Sequence, residues 1–462
     1  FLKQLPDTSK LTEDFLKDLT EGSTDLVVHS WKDLPTAPKT ETMIIATLPR
    51  ADQRDLLLMK KSAVGSAEVN IFSSSPRREY NLTKCLPELF SWKTSKINFL
   101  PVRGNVQTRV KKWKDEPNVH GLVVAKAAMD RLLNATQEEF QETRSFLRSA
   151  FRDDNWMVLP LSENPTAAAQ GALAVEIKSD RQDLIQLFRK INHTMTFEAV
   201  SVEREILQQY GGGCHQKIGI SVLPKKYGAV VSLRGLTDQG EKLFRWDLER
   251  QKLAPKLAGE DLISFPSEMI KRSAISAAAE NLTKVSGKEK ALGLWISRAE
   301  AWVPNAPDAI IWTAGLQTWR KLAAQGVWVN GTNDGLGEAE DTLTTELVGQ
   351  NVKWYKLTHQ KSDGPSQMEK IITYEIKSEE ETPSDLIREI LASKRAKMFF
   401  WKSTTQFERI KVHFDKVGVK MEDHFHACGP GSTREFLAQQ NLSAEKIFVF
   451  LNETEWRTKC QM

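Results

Sequence analysis

The chain has 462 residues, with 64 Lys and Arg against 60 Asp and Glu, for a formal net charge of +4. Its 40% apolar and 27% charged residues are those of globular protein, and the length suggests three or more domains. The balanced charge argues against the basic stripe of a nucleic-acid protein, and no run is apolar enough to span a bilayer. Cys85, Cys214, Cys428 and Cys460 lie far apart without metal-ligand spacing, which argues against a zinc site and a disulfide framework. With no signal peptide at its start, the chain is expected in a reducing cytoplasm.

From Thr24 to about Ala150, short apolar runs alternate with polar turns and helical stretches. The runs are Leu26-Val27-Val28, Val69-Asn70-Ile71-Phe72, Ile97-Asn98-Phe99-Leu100 and Leu122-Val123-Val124. Buried strands alternating with helices define an α/β class. Ligands of such sheets collect beyond the carboxyl ends of the strands. Those ends deliver Lys32, Arg77, Arg78, Arg103, Arg109 and Arg131 with one acid, Asp33. Arginine's planar fork suits carboxylates, and serine-led helix starts at Ser30 and Ser75 suit anions. Two readings follow: a cleft for a ligand bearing many carboxylates, or solvated surface arginines.

A second region, from about Thr196 to Gly287, contains Tyr210-Gly211-Gly212-Gly213-Cys214-His215. Three glycines before a cysteine predict a tight loop that presents the thiol, against the commoner reading of a buried small side chain. The stretch from about Leu253 to Lys290 is expected to be helical and to end a domain. Beyond it, Gly315 to Thr318 and Gly429 to Thr433 echo one another. Each starts a helix and has Gly326 or Asn441 eight residues past its Thr, which predicts two small α/β lobes.

Together these segments form a recognisable set. Val28-His29-Ser30-Trp31-Lys32-Asp33, Ser74-Ser75-Pro76-Arg77-Arg78, Arg103-Gly104-Asn105-Val106-Gln107-Thr108-Arg109, Gln170-Gly171-Ala172-Leu173-Ala174-Val175-Glu176 and Glu203-Arg204 followed by Gly212-Gly213-Cys214 occur in that order. This set resembles the porphobilinogen deaminase (hydroxymethylbilane synthase) family. The resemblance implies two periplasmic-binding-protein-like α/β domains around a cleft and a small α+β third domain carrying the cofactor cysteine. The expected ranges are 1–50 with 178–195, then 51–177, then 196–287. It also implies a dipyrromethane bound covalently to Cys214. The substrate would be porphobilinogen, joined four times with loss of ammonia to give hydroxymethylbilane. Asp33 would be the catalytic acid, protonating the departing amine and stabilising the azafulvene cation. Ser30, Lys32, Ser75, Arg77, Arg78, Arg103, Arg109 and Arg131 would hold acetate and propionate groups. A monomer, without nucleic acid or membrane, is expected. Two departures stand out. The family's opening strand and helix are missing before Phe1-Leu2-Lys3-Gln4-Leu5, and Trp31 replaces a smaller residue.

Residues 291–462 resemble uroporphyrinogen-III synthase, a family of two α/β lobes. Thr373-Tyr374-Glu375 and Phe399-Phe400-Trp401-Lys402-Ser403 fit its second lobe, whereas the first is shortened near Val303 to Pro307. The resemblance implies a second reaction, cyclisation of hydroxymethylbilane to uroporphyrinogen III, with Tyr374 catalytic and helix starts at Thr318 and Thr433 facing the cleft. The rival readings are a ligand-binding module without chemistry for the first part and a non-catalytic appendage for the second.

Overall fold

A computed structural model describes residues 8–37, 39–211, 216–249, 252–266, 271–287, 289–304, 308–338, 347–360, 362, 366, 368–377, 387 and 395–462. The chain divides into two compact units. One holds residues up to 246 apart from 88–92 and 226–229; the other holds those two segments and 247–462. No helix among the described residues is long and apolar enough to cross a membrane.

In the first unit, helix α1 (Thr8–Glu21) precedes strands β1 (Leu26–Ser30) and β2 (Thr42–Ala46). Then come β3 (Asp55–Met59), β4 (Glu68–Phe72), α2 (Pro76–Leu89), β5 (Lys96–Leu100), α3 (Val106–Asp115), β6 (Gly121–Ala125), α4 (Lys126–Leu133), α5 (Gln141–Asp153) and β7 (Asn155–Val158). The chain returns through β8 (Leu173–Lys178), α6 (Gln182–Phe188) and α7 (Thr194–Gln209), then forms β9 (Gly219–Lys225), β10 (Gly228–Leu236) and β11 (Lys242–Glu249). Three sheets result, ordered β1-β8-β2, β5-β4-β6-β3-β7 and β11-β10-β9.

All four apolar runs became strands, and β4 lies parallel to β5 and β6. β3 went unforeseen. It is buried throughout, Asp55 included, and runs antiparallel to β6 and β7. Two expected boundaries also shift. β8 pairs in antiparallel fashion with β1 and β2, so residues from 173 belong with the first sheet and not with the range 51–177. Val175 and Ile177 of β8 are buried with Ile45 and Ala46 of β2, which is why that strand sits there.

The second unit begins with β12 (Leu262–Ser264), β13 (Lys271–Ala274) and α8 (Ala278–Ser286). There follow β14 (Leu292–Ile296), β15 (Ile310–Thr313), α9 (Leu316–Ala323), β16 (Gly331–Thr332), β17 (Lys353–His359) and β18 (Glu369–Lys377). Last come β19 (Met398–Trp401), α10 (Thr404–Val417), β20 (Phe425–Cys428), α11 (Ser432–Ala438), β21 (Ile447–Val449) and α12 (Glu453–Cys460). They build a six-stranded sheet, β13-β18-β17-β14-β15-β16, and a parallel four-stranded sheet, β12-β19-β20-β21.

Two separate sheets, each flanked by helices, are therefore present in this unit. Gly326 takes the left-handed conformation expected past α9, but Asn441 does not. The range 196–287 is corrected. β12 pairs with β19 and β13 with β18, so these residues complete the C-terminal sheets, and the boundary lies near 247. Nor, among the described residues, is 253–290 helical apart from α8 and one short turn at Gly259–Asp261. The reason is burial: Ile263 and Phe265 pack with Phe399, Trp401, Phe407 and Phe414, which a detached helix would leave in water. The three described cysteines, Cys85, Cys428 and Cys460, are buried.

Candidate active site

At the end of β1 the chain makes a tight turn over Trp31–Asp33. Trp31 N–H donates to the Ala172 carbonyl at 3.0 Å. The indole is buried with Leu34, Ala169, Ala172, Ala174 and Val200, and lies 5.2 Å from the Phe197 ring. The large residue at this position thus nails the turn to the core, while Asp33 stays exposed beside half-buried Lys32. Burial pulls the Lys32 ammonium below its ordinary range. Asp33 and Asp55 oppose that shift, and Arg78 and Arg77 add to it. The β1 turn and the start of α2 therefore share one electrostatic neighbourhood.

α2 opens with Pro76, whose fixed φ and missing N–H suit a first helical turn. Arg77 and Arg78 are turned inward onto the unforeseen acid. Arg77 donates to Asp55 Oδ2 at 2.9 Å and to the Pro165 carbonyl at 2.8 Å. Arg78 donates to Asp55 Oδ1 at 2.7 Å, and Gln170 and Asn164 each add a donor at 2.9 Å. Burial alone would raise the Asp55 carboxyl, but the two guanidinium groups hold it far below the usual range. Both arginines therefore pair with Asp55 within the protein. Arg77 is buried among protein acceptors, because a carboxylate this deep needs charged donors. Arg78 keeps a buried Nε without an acceptor among the described residues.

Gly104, at φ +116°, turns the chain into α3, which Asn105 caps by accepting from Thr108 N–H at 2.9 Å. Arg109 folds back to donate to the Gly104 carbonyl at 2.7 Å. Burial, then Arg78, lowers its pKa, so Arg109 lies within the electrostatic reach of Arg78. Ser30 and Arg103 are exposed, and Ser75 Oγ accepts from the Arg78 N–H at 3.5 Å. Arg131 is exposed in the last turn of α4. Cys214 lies outside the described residues, as do Gly212, Gly213 and His215. The helix leading to them, α7, ends at Gln209, and Gly211 follows at φ +95°.

The second unit holds a cavity of about 220 Å³ lined from both of its sheets. Arg272, Arg298, Lys356 and Lys402 supply cations, and Ser403, Thr404 and Thr405 at the start of α10 supply polar groups. Lys356 pairs with Glu338 and sits 5.1 Å over the Trp295 ring. Tyr374 is buried on β18, 5.3 Å from the His359 ring, and hydrogen-bonds Arg272, whose pKa burial lowers first and Arg298 second. Tyr374 and Thr433 are among the residues lining the cavity, and Thr318 is not. Asp55, Glu338 and Lys356 were not read from the sequence. An acid opening an all-apolar run was the available signal for Asp55.

Residues 2–186 match the family model described as "Porphobilinogen deaminase, dipyromethane cofactor binding domain". The porphobilinogen deaminase of Syntrophomonas wolfei is 32% identical over 237 residues, 51% of this chain and 69% of that protein. That of Clostridium novyi is 31% identical over 252 residues, 54% and 76% respectively. Among solved structures, an arginine 3rd transport system periplasmic binding protein from Legionella pneumophila is 12% identical with a TM-score of 0.20, covering 43% of this chain and 77% of that one. A likeness at that score supports no functional inference. The motif residues gathered around Lys32, the relatives matched over more than two thirds of their length and the matched cofactor-binding segment lead to one assignment: the chain belongs to the porphobilinogen deaminase family.

Proposed function

We propose that the first unit joins four porphobilinogen units into hydroxymethylbilane, releasing ammonia at each addition. A dipyrromethane bound by thioether to Cys214 would supply the pyrrole carbon to which the first unit is added. The observation that carries this reading is the shared electrostatic neighbourhood of Lys32, Arg77, Arg78 and Asp55, beside exposed Asp33. The donor set fits a group bearing several carboxylates. Arg78 Nε is a buried donor lacking an acceptor among the described residues, and Lys32, Arg109 and exposed Arg103 add charge. Asp33 holds the proton given to the departing amine, and its carboxylate then faces the cation left behind. Ser30, Ser75 and Arg131 complete the proposed contacts to acetate and propionate, and Arg77 contributes through Asp55. We place the protein in the cytoplasm as a monomer.

Intact mass before and after denaturation tests this reading. The protein should carry a dipyrrole increment that survives denaturation and disappears in Cys214→Ser. An increment retained by that variant would refute it.

For the second unit we propose cyclisation of hydroxymethylbilane to uroporphyrinogen III with release of water. The four-cation cavity with a buried tyrosine supports it. A non-catalytic appendage is the alternative outcome of the test argued at the end of the Discussion.

A further inference from the structure

We infer that Arg204 is a positioning residue for Asp33, fastening the acid-bearing turn to helix α7. The inference rests on the proposed role of Asp33. One guanidinium spans the turn. Arg204 Nη1 donates to the Trp31 carbonyl at 3.3 Å and to the Leu34 carbonyl at 3.1 Å, and Nη2 donates to the Pro35 carbonyl. These three acceptors bracket Lys32 and Asp33 on both sides.

The same face of α7 makes the apolar half of the attachment. Phe197 packs on the Trp31 ring and Val200 shares its core, and positions 197, 200 and 204 recur at helical spacing. α7 is itself held rigidly. Glu203, fully buried, accepts from Arg50 Nη1 and Nη2 at 2.7 and 2.9 Å, from Ala169 N–H at 2.8 Å and from Val222 N–H at 2.7 Å. Glu203 therefore locks the helix to the body of the unit while its neighbour Arg204 grips the turn. Five residues after Arg204 the helix ends, and Gly211 follows at φ +95°.

Burial lowers the Arg204 pKa, and no carboxylate contributes to that shift. Its charge faces peptide carbonyls, an arrangement suited to fixing backbone in place. β1 alone would leave an exposed turn free to shift, and misplacing a reacting group by about 1 Å costs on the order of 100-fold in rate. Arg204 touches no reacting atom. It sets where Asp33 stands relative to the end of α7.

The test is steady-state kinetics of the full chain in Arg204→Met, Arg204→Lys, Asp33→Asn and the Arg204→Met/Asp33→Asn double variant. Thermal midpoint and the dipyrrole mass increment are measured alongside. Arg204→Met should keep the increment and KM, lose about 10- to 100-fold in kcat, and shift the acidic limb of the pH profile. In the Asp33→Asn background it should cost nothing further, because the group it positions is gone. If Arg204→Met fails to fold or to load, Arg204→Lys replaces it and must show the same kcat loss and moved limb. Normal kcat and pH profile in the folded Arg204 variants would overturn the inference, as would losses that multiply in the double variant. Normal turnover in Asp33→Asn would instead sink the role of Asp33, a result distinguishable from either.

Discussion

Arg78 donates through Nη2 to Oδ1 of Asp55 at 2.7 Å, deep between α2 and the start of β3. The same carboxylate accepts from Arg77, so one negative charge serves two buried positive ones. Removing it leaves both uncompensated. Asp55→Ala should destabilise the first unit by roughly 3–5 kcal/mol, the usual cost of breaking a buried pair. A urea midpoint unchanged within error would show that Asp55 is not the organising acid. Arg77→Leu should produce a stability loss of the same kind rather than a selective loss of substrate affinity.

Asp33→Asn separates shape from proton transfer. The amide keeps the size of the side chain and cannot give up a proton in the same way. Porphobilinogen binding should survive while turnover falls by about 10²- to 10⁴-fold. Stopped-flow binding and ammonia release measure the two separately, and near-normal ammonia release would reject the acid role.

Much of this arrangement was legible in residue order. The apolar runs before His29, Ser73, Pro101 and Ala125 announced four strands. Asp55 was hidden because β3 is buried on both faces and gives no alternation, so nothing marked where it began. The inward turn of Arg77 was equally invisible, since it depends on Asn164, Gln170 and Pro165 from distant chain. β12 and β13 were misassigned for a related reason. Short strands are defined by the sheet they join, and their partners β19 and β18 lie about a hundred residues or more away in sequence. Local pattern reports burial and period, but not partnership across such separations.

The two units should respond to acid in different windows. His426 is fully buried; its Nδ1 accepts from Trp401 Nε1–H at 3.0 Å, and its Nε2 lies 3.0 Å from the Met421 carbonyl. Burial holds its pKa down to about 4, against about 6.5 when unfolded. The folded state then binds fewer protons, so its stabilising effect is full above about pH 6.5 and is lost as pH falls through 4. That amounts to something on the order of 3 kcal/mol. In the first unit, burial raises the Glu176 carboxyl, but hydrogen bonds from His29, Lys39 and Thr42 outweigh it and bring it to about 2. Its contribution is present above about pH 4.3 and disappears toward pH 2. Acid titration by tryptophan fluorescence should show the limb between pH 6.5 and 4 flattened in His426→Gln. The lower limb should be flattened in Glu176→Gln. Unaltered limbs in both variants would refute the assignment.

Tyr374 offers the sharpest test of the second unit. Its ring is 2% exposed, so the hydroxyl is held in one place by β18 and by Arg272 from β13. A leaving hydroxyl needs a donor, and the phenol beside a guanidinium is one. The surrounding Arg298, Lys356 and Lys402 would hold carboxylates while rings are joined. A phenol that only packs is separated from one that donates by supplying the full chain with hydroxymethylbilane and resolving the product isomers. The type-III isomer should form, and Tyr374→Phe should slow it by about 10²-fold or more. In that variant the thermal midpoint should stay near that of the parent, because the ring still fills its place. Lys356→Met should weaken substrate binding by about 10-fold, through loss of a charge-assisted hydrogen bond. If only the type-I isomer appears, the second unit is an appendage. If the type-III isomer forms at an unchanged rate in Tyr374→Phe, the cyclase assignment stands and the phenol is a packing group on β18.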